Sequence, residues 1–315
     1  MSPKPRGTPV SAVTITNTAE IQALLDKVAG LDQTAGNPRI KAIVRRLVEN
    51  ICQAIDDFDV NESEFWLALN FLQGGAGELG LWAAGLGLEH FLDVRMDAID
   101  VADGISGVTP RTIEGPLHVK GAPLSKREAR LDDGTESGDI LVMTGQVRDT
   151  EGRPVPGAIV DVWHANTLGN YSHFDPSQST FNNRGRIETD GEGRYRFRSI
   201  VPSGYACPPG GSTERLLDQL GRHGRRPAHV HFFVTAPGFR HLTTQINIDG
   251  DPYLHDDFAY ATREELIPAV TWIENPAAIS AAGLDTPFKA INFDFQIAAT
   301  AGEGEMASDR PRAAA

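Results

Sequence analysis

Arg194-Tyr195-Arg196-Phe197-Arg198-Ser199-Ile200-Val201 alternates polar with apolar side chains. A period of two belongs to a strand with one face in a core, because successive residues of a strand point to opposite sides of the sheet. The pattern extends outward from this stretch. Ile140–Arg148 runs into a Thr150-Glu151-Gly152 turn, Ile159–Trp163 is a mostly apolar strand, and Pro227–Val234, Thr243–Ile248 and Ala290–Ile297 read the same way. Short strands separated by Gly, Pro and Asp turns, with almost no helix between them, predict an antiparallel β-sandwich from Gly104 onward. Tyr195, beside Phe197 in a regular strand, reads as aromatic packing.

Before Gly104 the period changes to that of helices. Asn17 is placed to cap a first helix with Glu20 at its third position; Ile21, Leu24, Leu25 and Val28 follow at helical spacing, and Gly30 stops it. Asn37-Pro38 opens a second helix, Pro38 taking the first-turn position where no N–H is required. Its apolar stripe is Ile40, Ile43, Val44, Leu47, Val48, Ile51 and Ile55, with Arg45, Arg46 and Glu49 opposite. Two further helical stretches cover Glu64–Leu72 and Glu78–Ala102, the second loosened by Gly85 and Gly87. Four helices carry more apolar surface than they need to pack on one another, so part of it is expected to meet another domain or subunit. The organisation expected is α+β: a helical region over 1–104, a β-sandwich catalytic region over 105–300, and a small, polar, mobile tail over 301–315. No internal repeat is visible.

At 315 residues the chain is long enough for sizeable cores, and 23% charged residues is ordinary for a soluble protein. A formal net charge of −13 speaks against nucleic acid or an anionic membrane as partner, since both require concentrated positive charge. The apolar stretch around Leu79–Leu92 is interrupted by Glu89 and His90 and is too short to span a bilayer. The first residues have no apolar segment of a signal peptide. Two cysteines, Cys52 in a helical repeat and Cys207 after a Gly-Tyr turn, do not suggest an oxidising compartment, and the expected location is the cytoplasm.

The strongest chemical signal is His229-Val230-His231 within the Pro227–Val234 strand. Residues two apart on a strand share a face with Cα atoms roughly 6.6 Å apart, near enough for two imidazoles to meet at one metal. The bland alternative is a pair of histidines bonded to neighbouring backbone. A zinc site would need a third His or a carboxylate, and a ferrous facial triad one Asp or Glu. Asp175, Asp251 and Asp256 are available, none at a telling spacing. Tyrosine is the other option, because phenolate is a hard anionic donor suited to trivalent iron. Of the five tyrosines, Tyr171 and Tyr205 follow Gly-Asn and Ser-Gly in loops just after strands, where scaffolds carry functional side chains. Arg226, in the basic run Arg222-His223-Gly224-Arg225-Arg226, directly precedes the His strand and could supply positive charge to an anionic substrate.

These residues lie in stretches that resemble the intradiol ring-cleavage dioxygenases: TPRTIEGPL (109–117), VDVWHANTLGNYSHFD (160–175), GRYRFRSIVPSGY (193–205), LGRHGRRPAHVHFFV (220–234), HLTTQIN (241–247) and DDFAYAT (256–262). The resemblance runs from about Asn17 to Arg312, and the helical first hundred residues match the catechol branch of the family. It implies a mononuclear non-haem Fe(III) held by Tyr171, Tyr205, His229 and His231, with Tyr205 leaving the metal to accept a substrate proton. It implies Arg226 and Gln245 as polar groups at the substrate, and Leu81, Ala84, Ile113, Pro116, Leu117, Phe258 and Ala259 as pocket wall. The implied substrates are a small aromatic diol and O2. A homodimer formed through the helices, with a phospholipid-like molecule in an apolar tunnel, is implied as well. The chain departs from the family pattern at Trp82, Ala84 and His118, positions that bear on ring substituents and not on the ligand set.

Three competing expectations follow. The same chemistry on chlorocatechol or hydroxyquinol would use the same ligands. A non-catalytic transthyretin-like sandwich would share the glycines, prolines and alternation, and would leave the His-x-His strand and the two tyrosines unexplained. A cupin oxygenase would place a Glu shortly after the second His, where Phe232-Phe233-Val234 stands instead.

Overall fold

The computed structural model describes residues 13–300, so the expected tail over 301–315 lies outside the described residues. Two compact units divide the chain, Met1–Gly74 and Gly75–Ala315.

The first unit holds α1 (Ala19–Val28), α2 (Pro38–Phe58) and α3 (Glu62–Gly74). Thr18, not Asn17, caps α1: its hydroxyl accepts from the Ile21 amide, and Asn17 lies one residue too early to do so. Asn37 caps α2 as expected, its side chain accepting from the amides of Arg39 and Ile40 with Pro38 in the first turn. Leu25 of α1 is buried, whereas Ile40, Leu47 and Ile51 of the α2 stripe stay 59%, 56% and 57% exposed in the single chain. The helix therefore forms as its pattern predicts, while its apolar stripe is left uncovered.

In the second unit the stretch after Gly75 makes two helices, α4 (Leu79–Gly85) and α5 (Leu88–Ala102), separated at Gly87, which adopts φ +73°. Both are fastened to the β-structure. Trp82 donates to Ser212 Oγ at 3.2 Å, Glu78 accepts from the amides of Ser212 and Thr213, and Arg111 pairs with Asp97 and Asp100. These ties place the boundary between units at Gly74–Gly75, ahead of the change in residue pattern near Gly104.

The strands are β1 (Leu124–Lys126), β2 (Glu128–Arg130), β3 (Ile140–Asp149), β4 (Ile159–His164), β5 (Arg184–Glu188) and β6 (Arg194–Ile200), followed by β7 (Tyr205–Ala206), β8 (Arg225–Arg226), β9 (His229–Thr235), β10 (Leu242–Asn247), β11 (Thr271–Ile273), β12 (Phe288–Asn292) and β13 (Phe295–Ile297). Two short helices, α6 (Ser212–Gln219) and α7 (Pro276–Ala281), complete the unit. One sheet has the order β1-β5-β4-β9-β10, the other β11-β12-β3-β6-β2 with β13 also on β3. Their facing sides share a core in which Phe197 and Phe232 approach at 6.3 Å. Tyr195 packs on Phe295 as expected of an aromatic core residue.

The sandwich is mixed, which corrects the antiparallel expectation. β1 runs parallel to β5, β2 to β6, and both β12 and β13 to β3. Arg127, at φ +62°, turns the chain between β1 and β2 and moves it from one sheet edge to the other. Segments entering before β3 and leaving after β11 return by long connections, which permit parallel pairing where a tight hairpin would not. Both cysteines are free, Cys207 buried and Cys52 partly exposed. Among the described residues no helix is long and apolar enough to cross a membrane.

Candidate functional site

Strand parity puts the two histidines of β9 on the face turned away from the core. Val230 and Phe232 are fully buried between the sheets, while the cross-strand partners of His231 are Trp163 on β4 and Gln245 on β10. Trp163 lies flat on the His231 ring, 5.0 Å between centroids and 3° between planes. His229 places Nδ1 2.7 Å from the carbonyl oxygen of Pro227. A carbonyl only accepts, so Nδ1 carries the proton and the Nε2 of neutral His229 presents a lone pair. That Nε2 stands 3.0 Å from Nε2 of His231. Burial, and then the neighbouring Arg226, lower His229 to about 3; burial and His229 hold His231 well below the usual histidine range. Both rings are neutral near pH 7, the form in which imidazole binds a metal.

Two loops bring tyrosines to this face. After β4, the Asn166 side chain accepts from the amides of Leu168 and Asn170 and folds the loop back. Gly169 is required there: it adopts φ +83°, and a Cβ would lie 2.9 Å from the Gly204 carbonyl oxygen and from Tyr205 Cβ. Gly204 is required in turn, since its own Cβ would lie 2.5 Å from the Arg226 carbonyl oxygen. With both glycines in place the rings of Tyr171 and Tyr205 meet edge to face at 5.6 Å, and Tyr205 stands 5.5 Å from His229. Tyr205 begins β7 and pairs with Arg226 of β8, so it sits on a short ladder and not in the open loop expected. Tyr171 Oη is buried with no hydrogen-bond partner, and burial, then the neighbouring phenol, push its pKa well above 10.

Arg226 is buried among these groups. Its Nη1 lies 3.1 Å from His229 Nε2 and 3.4 Å from Tyr205 Oη; its Nη2 donates to Gln245 Oε1 at 2.8 Å and to Asp257 at 3.0 Å. Burial opposes the guanidinium charge, but Asp257 and Tyr205 outweigh it and raise the pKa above the usual arginine value. For Asp257 burial acts against ionisation, and Arg226 wins and lowers its pKa.

A trivalent metal is tested by what these groups lack. Two Nε2 atoms face each other at 3.0 Å, the buried phenol of Tyr171 has no partner, and a second phenol lies against it. Two imidazoles and two phenols are a donor set suited to ferric iron, and they fit it. The carboxylates that could have completed a zinc or ferrous site are engaged elsewhere. Asp175 folds its own turn through Ser177, Asp251 accepts from the Ala228 amide, and Asp256 meets His223 on the surface. Among the described residues no group of three or more His, Cys, Asp or Glu forms a metal site.

A cavity of about 600 Å³ opens onto this wall, lined in part by Tyr171, Tyr205 and Arg226. Leu81 and Ala84 come to it from α4, Ile113, Pro116 and Leu117 from the segment before β1, and Phe258 and Ala259 from the loop after β10. Gln245, His229 and His231 are buried, and the first two reach the cavity wall through Arg226. Sequence reasoning missed three contributors. Asp257 anchors Arg226, and Trp163 fixes the His231 ring. Arg184, which burial lowers to about 10, ties the Tyr171 loop to the Leu117 carbonyl while its guanidinium lies 5.7 Å from the Tyr171 ring. Trp163 and Asp257 lie in the stretches 160–175 and 256–262 that carry the family resemblance, which gave neither of them a role; Arg184 lies outside those stretches.

The family described as Dioxygenase matches residues 113–299, and the one described as Catechol dioxygenase N terminus matches 37–104. Catechol 1,2-dioxygenase 2 of Acinetobacter lwoffii is 61% identical over 260 residues, covering 82% of this chain and 94% of that protein. Catechol 1,2-dioxygenase of Acinetobacter baylyi is 49% identical over 308 residues, covering 96% and 99%. The crystal structure of catechol 1,2-dioxygenase from Pseudomonas arvilla C-1 superposes with a TM-score of 0.88 at 54% identity, covering 95% of this chain and 98% of that one. With its cavity, its two phenols and two imidazoles, and these matches over nearly its whole length, the chain belongs to the intradiol ring-cleavage dioxygenases, in their catechol branch.

Proposed function

We propose that the protein opens the ring of catechol between its two hydroxyl-bearing carbons, using a single Fe(III) held by Tyr171, Tyr205, His229 and His231. Both atoms of O2 enter the product, cis,cis-muconate, one in each new carboxyl group. The observation that carries this reading is the convergence of two phenols and two imidazoles on one buried wall, with Tyr171 Oη unpartnered and the two Nε2 atoms face to face. Ferric iron, when bound, favours the deprotonated form of both catechol oxygens and makes the ring reactive toward O2. The remaining tasks fall to the protein. Tyr205, on the cavity wall and a phenolate while it holds the iron, would accept one of the two substrate protons, and hydroxide from solvent would accept the other. Arg226, within 3.4 Å of Tyr205 Oη, is held by Asp257 and Gln245 in position to stabilise negative charge as it develops. The Pro227 carbonyl keeps the proton of His229 on Nδ1, and the Trp163 stack fixes the plane of His231.

In the same reading residues 1–104 form the dimerisation region and 105–300 the catalytic region. Uncovered apolar side chains on α2 and α3, Leu47, Ile51 and Trp66 among them, support a homodimer through the helical region that also holds a phospholipid-like molecule. The two unpaired cysteines support a cytoplasmic location.

The purified protein is expected to be red, with a broad visible band from tyrosinate-to-Fe(III) charge transfer, to contain one iron per chain, and to convert catechol to cis,cis-muconate. Zinc in place of iron, or a colourless active enzyme, would overturn the ligand assignment. Ring preference is set on the wall built by Leu81, Ala84 and Leu117. Catechol is expected to be the best substrate and methylcatechols next. Hydroxyquinol should be poor, because an extra hydroxyl against apolar atoms costs roughly 1–3 kcal/mol. Ala84→Leu fills space beside the ring and should reduce turnover of 4-methylcatechol more than that of catechol. Steady-state kinetics of both diols on both proteins checks this; an unchanged ratio would mean that Ala84 does not face the ring.

A further inference from the structure

Arg226 supplies the site from the basic run 222–226, but the first arginine of that run is absent from the cavity wall and has a different job. Arg222 follows α6, its amide held by the Leu217 carbonyl at 2.8 Å. Its guanidinium donates to two backbone carbonyls from separate segments: Nη1 to Gly85 O at 2.7 Å and Nη2 to Phe258 O at 3.0 Å. Gly85 ends α4 one residue after Ala84, and Phe258 and Ala259 form another part of the cavity wall. The Tyr260 ring covers the guanidinium at 4.8 Å and itself rests close to Gly87, at the break between α4 and α5.

α4 has only seven residues, too few to hold a position through its own hydrogen bonds. Its last carbonyls have no partner within the helix, and a cation there is favoured by the helix dipole. A planar guanidinium fixes the separation and direction of the two carbonyls it binds, which a single ammonium cannot do. The contact between the segments is otherwise side-chain packing, a Cβ at Gly85 lying 3.4 Å from the Phe258 ring. The second carbonyl also belongs to the residue after Asp257, so the same fork steadies the loop that anchors Arg226.

We propose that Arg222 is a specificity-determining positioning residue: its fork fixes α4, with Leu81 and Ala84, against the loop carrying Phe258 and Ala259, and thereby sets the room beside the substrate ring. The proposal rests on the catechol-cleavage reading. Arg222→Ala should keep its iron and visible band, because none of the proposed ligands touches Arg222. Its KM for catechol should rise roughly three- to tenfold with a smaller change in kcat, the scale of one ordinary hydrogen bond, because the two lost bonds position the wall without touching the substrate. The preference for 4-methylcatechol over catechol, taken as the ratio of their specificity constants, should rise by a similar factor as the wall loosens. Arg222→Lys, which reaches one carbonyl at a time, should fall between wild type and Arg222→Ala, and it decides the question should Arg222→Ala not fold. An unchanged KM and ring-substituent ratio, or a uniform fall in kcat for both diols, would reduce Arg222 to a stabilising residue and overturn the assignment. Should the wild type not cleave catechol, the catalytic reading fails first. Hydrogen exchange then decides the clamp: Arg222→Lys must speed exchange in residues 79–88 and 256–262 together, and equal rates overturn it.

Discussion

His231→Ala and His229→Ala are each expected to yield folded, colourless protein with little iron and no measurable ring cleavage. Each substitution removes one of two imidazoles from a set of four proposed ligands, and mutation of residues that merely orient a ligand already costs 10- to 100-fold in metal affinity. The fold should survive, because β9 is held from its other face: Val230 and Phe232 are fully buried in the core, and β4 and β10 pair with the strand along its length. Loss of the Trp163 stack makes His231→Ala the less stable variant. Iron analysis, visible absorption, catechol turnover and far-UV circular dichroism on each variant separate the outcomes. Full iron occupancy with normal turnover in either one would mean that the pair is a structural feature of the strand.

The histidine pair was legible because strand parity is a local property. His-x-His within an alternating run must put both rings on one face, and the structure places them there with Val230 and Phe232 opposite. Tyr171 and Tyr205 were legible for a related reason, since the glycines at 169 and 204 marked tight turns beside strand ends. The long strands β3, β4, β6, β9 and β10 each announced themselves by pattern. β1, β2, β7, β8 and β11 have two or three residues each, too few to display a period. β5, Arg184–Glu188, is mostly polar and reads as loop. The parallel pairings could not be read at all, because strand direction depends on where a long connection returns and not on the residues of the strand.

Partners distant in sequence were the other blind spot. The helical stripe of α2 was read correctly as a helix face, yet the single chain leaves Ile40, Leu47 and Ile51 uncovered. An apolar stripe says that a face needs a partner without naming it. Asp257 stands 31 residues from Arg226, beside the equally acidic Asp256, which lies on the surface against His223. Nothing local distinguishes the buried carboxylate from the exposed one. Only the fold, by bringing the 256–262 loop under β8, makes one of them the counter-ion of the site.

Asp257→Ala is therefore expected to be among the most damaging substitutions outside the proposed ligands. The Arg226 and Asp257 side chains are 4% and 1% exposed, and removing one member of a buried ion pair strands the other, at a cost of about 3–5 kcal/mol. Two further bonds go with it, because Asp257 also accepts from the amides of Ala259 and Ala261 and so holds the loop of the cavity wall. Catechol turnover should fall steeply as Arg226 loses its orientation. Replacing the pair together, by Arg226→Met with Asp257→Leu, should recover much of the stability and none of the activity, since well-packed apolar residues substitute for a buried pair in packing but not in charge. The acid limb gives an independent check. Arg226 holds the folded-state pKa of Asp257 below its unfolded value, so the pair's stabilisation is present above about pH 4 and is lost as pH falls through the folded value. Buried His164, lowered to about 4 chiefly by burial, acts in a different window: its contribution is full above about pH 6.5 and drains away as pH falls toward 4. Chemical denaturation of wild type and Asp257→Ala at a series of pH values should show the second loss in both proteins and a smaller first loss in Asp257→Ala, where other lowered carboxylates such as Asp175 and Asp149 still contribute. Equal stability of the two proteins at pH 7 would mean that Arg226 finds another counter-charge and that Asp257 is not its anchor.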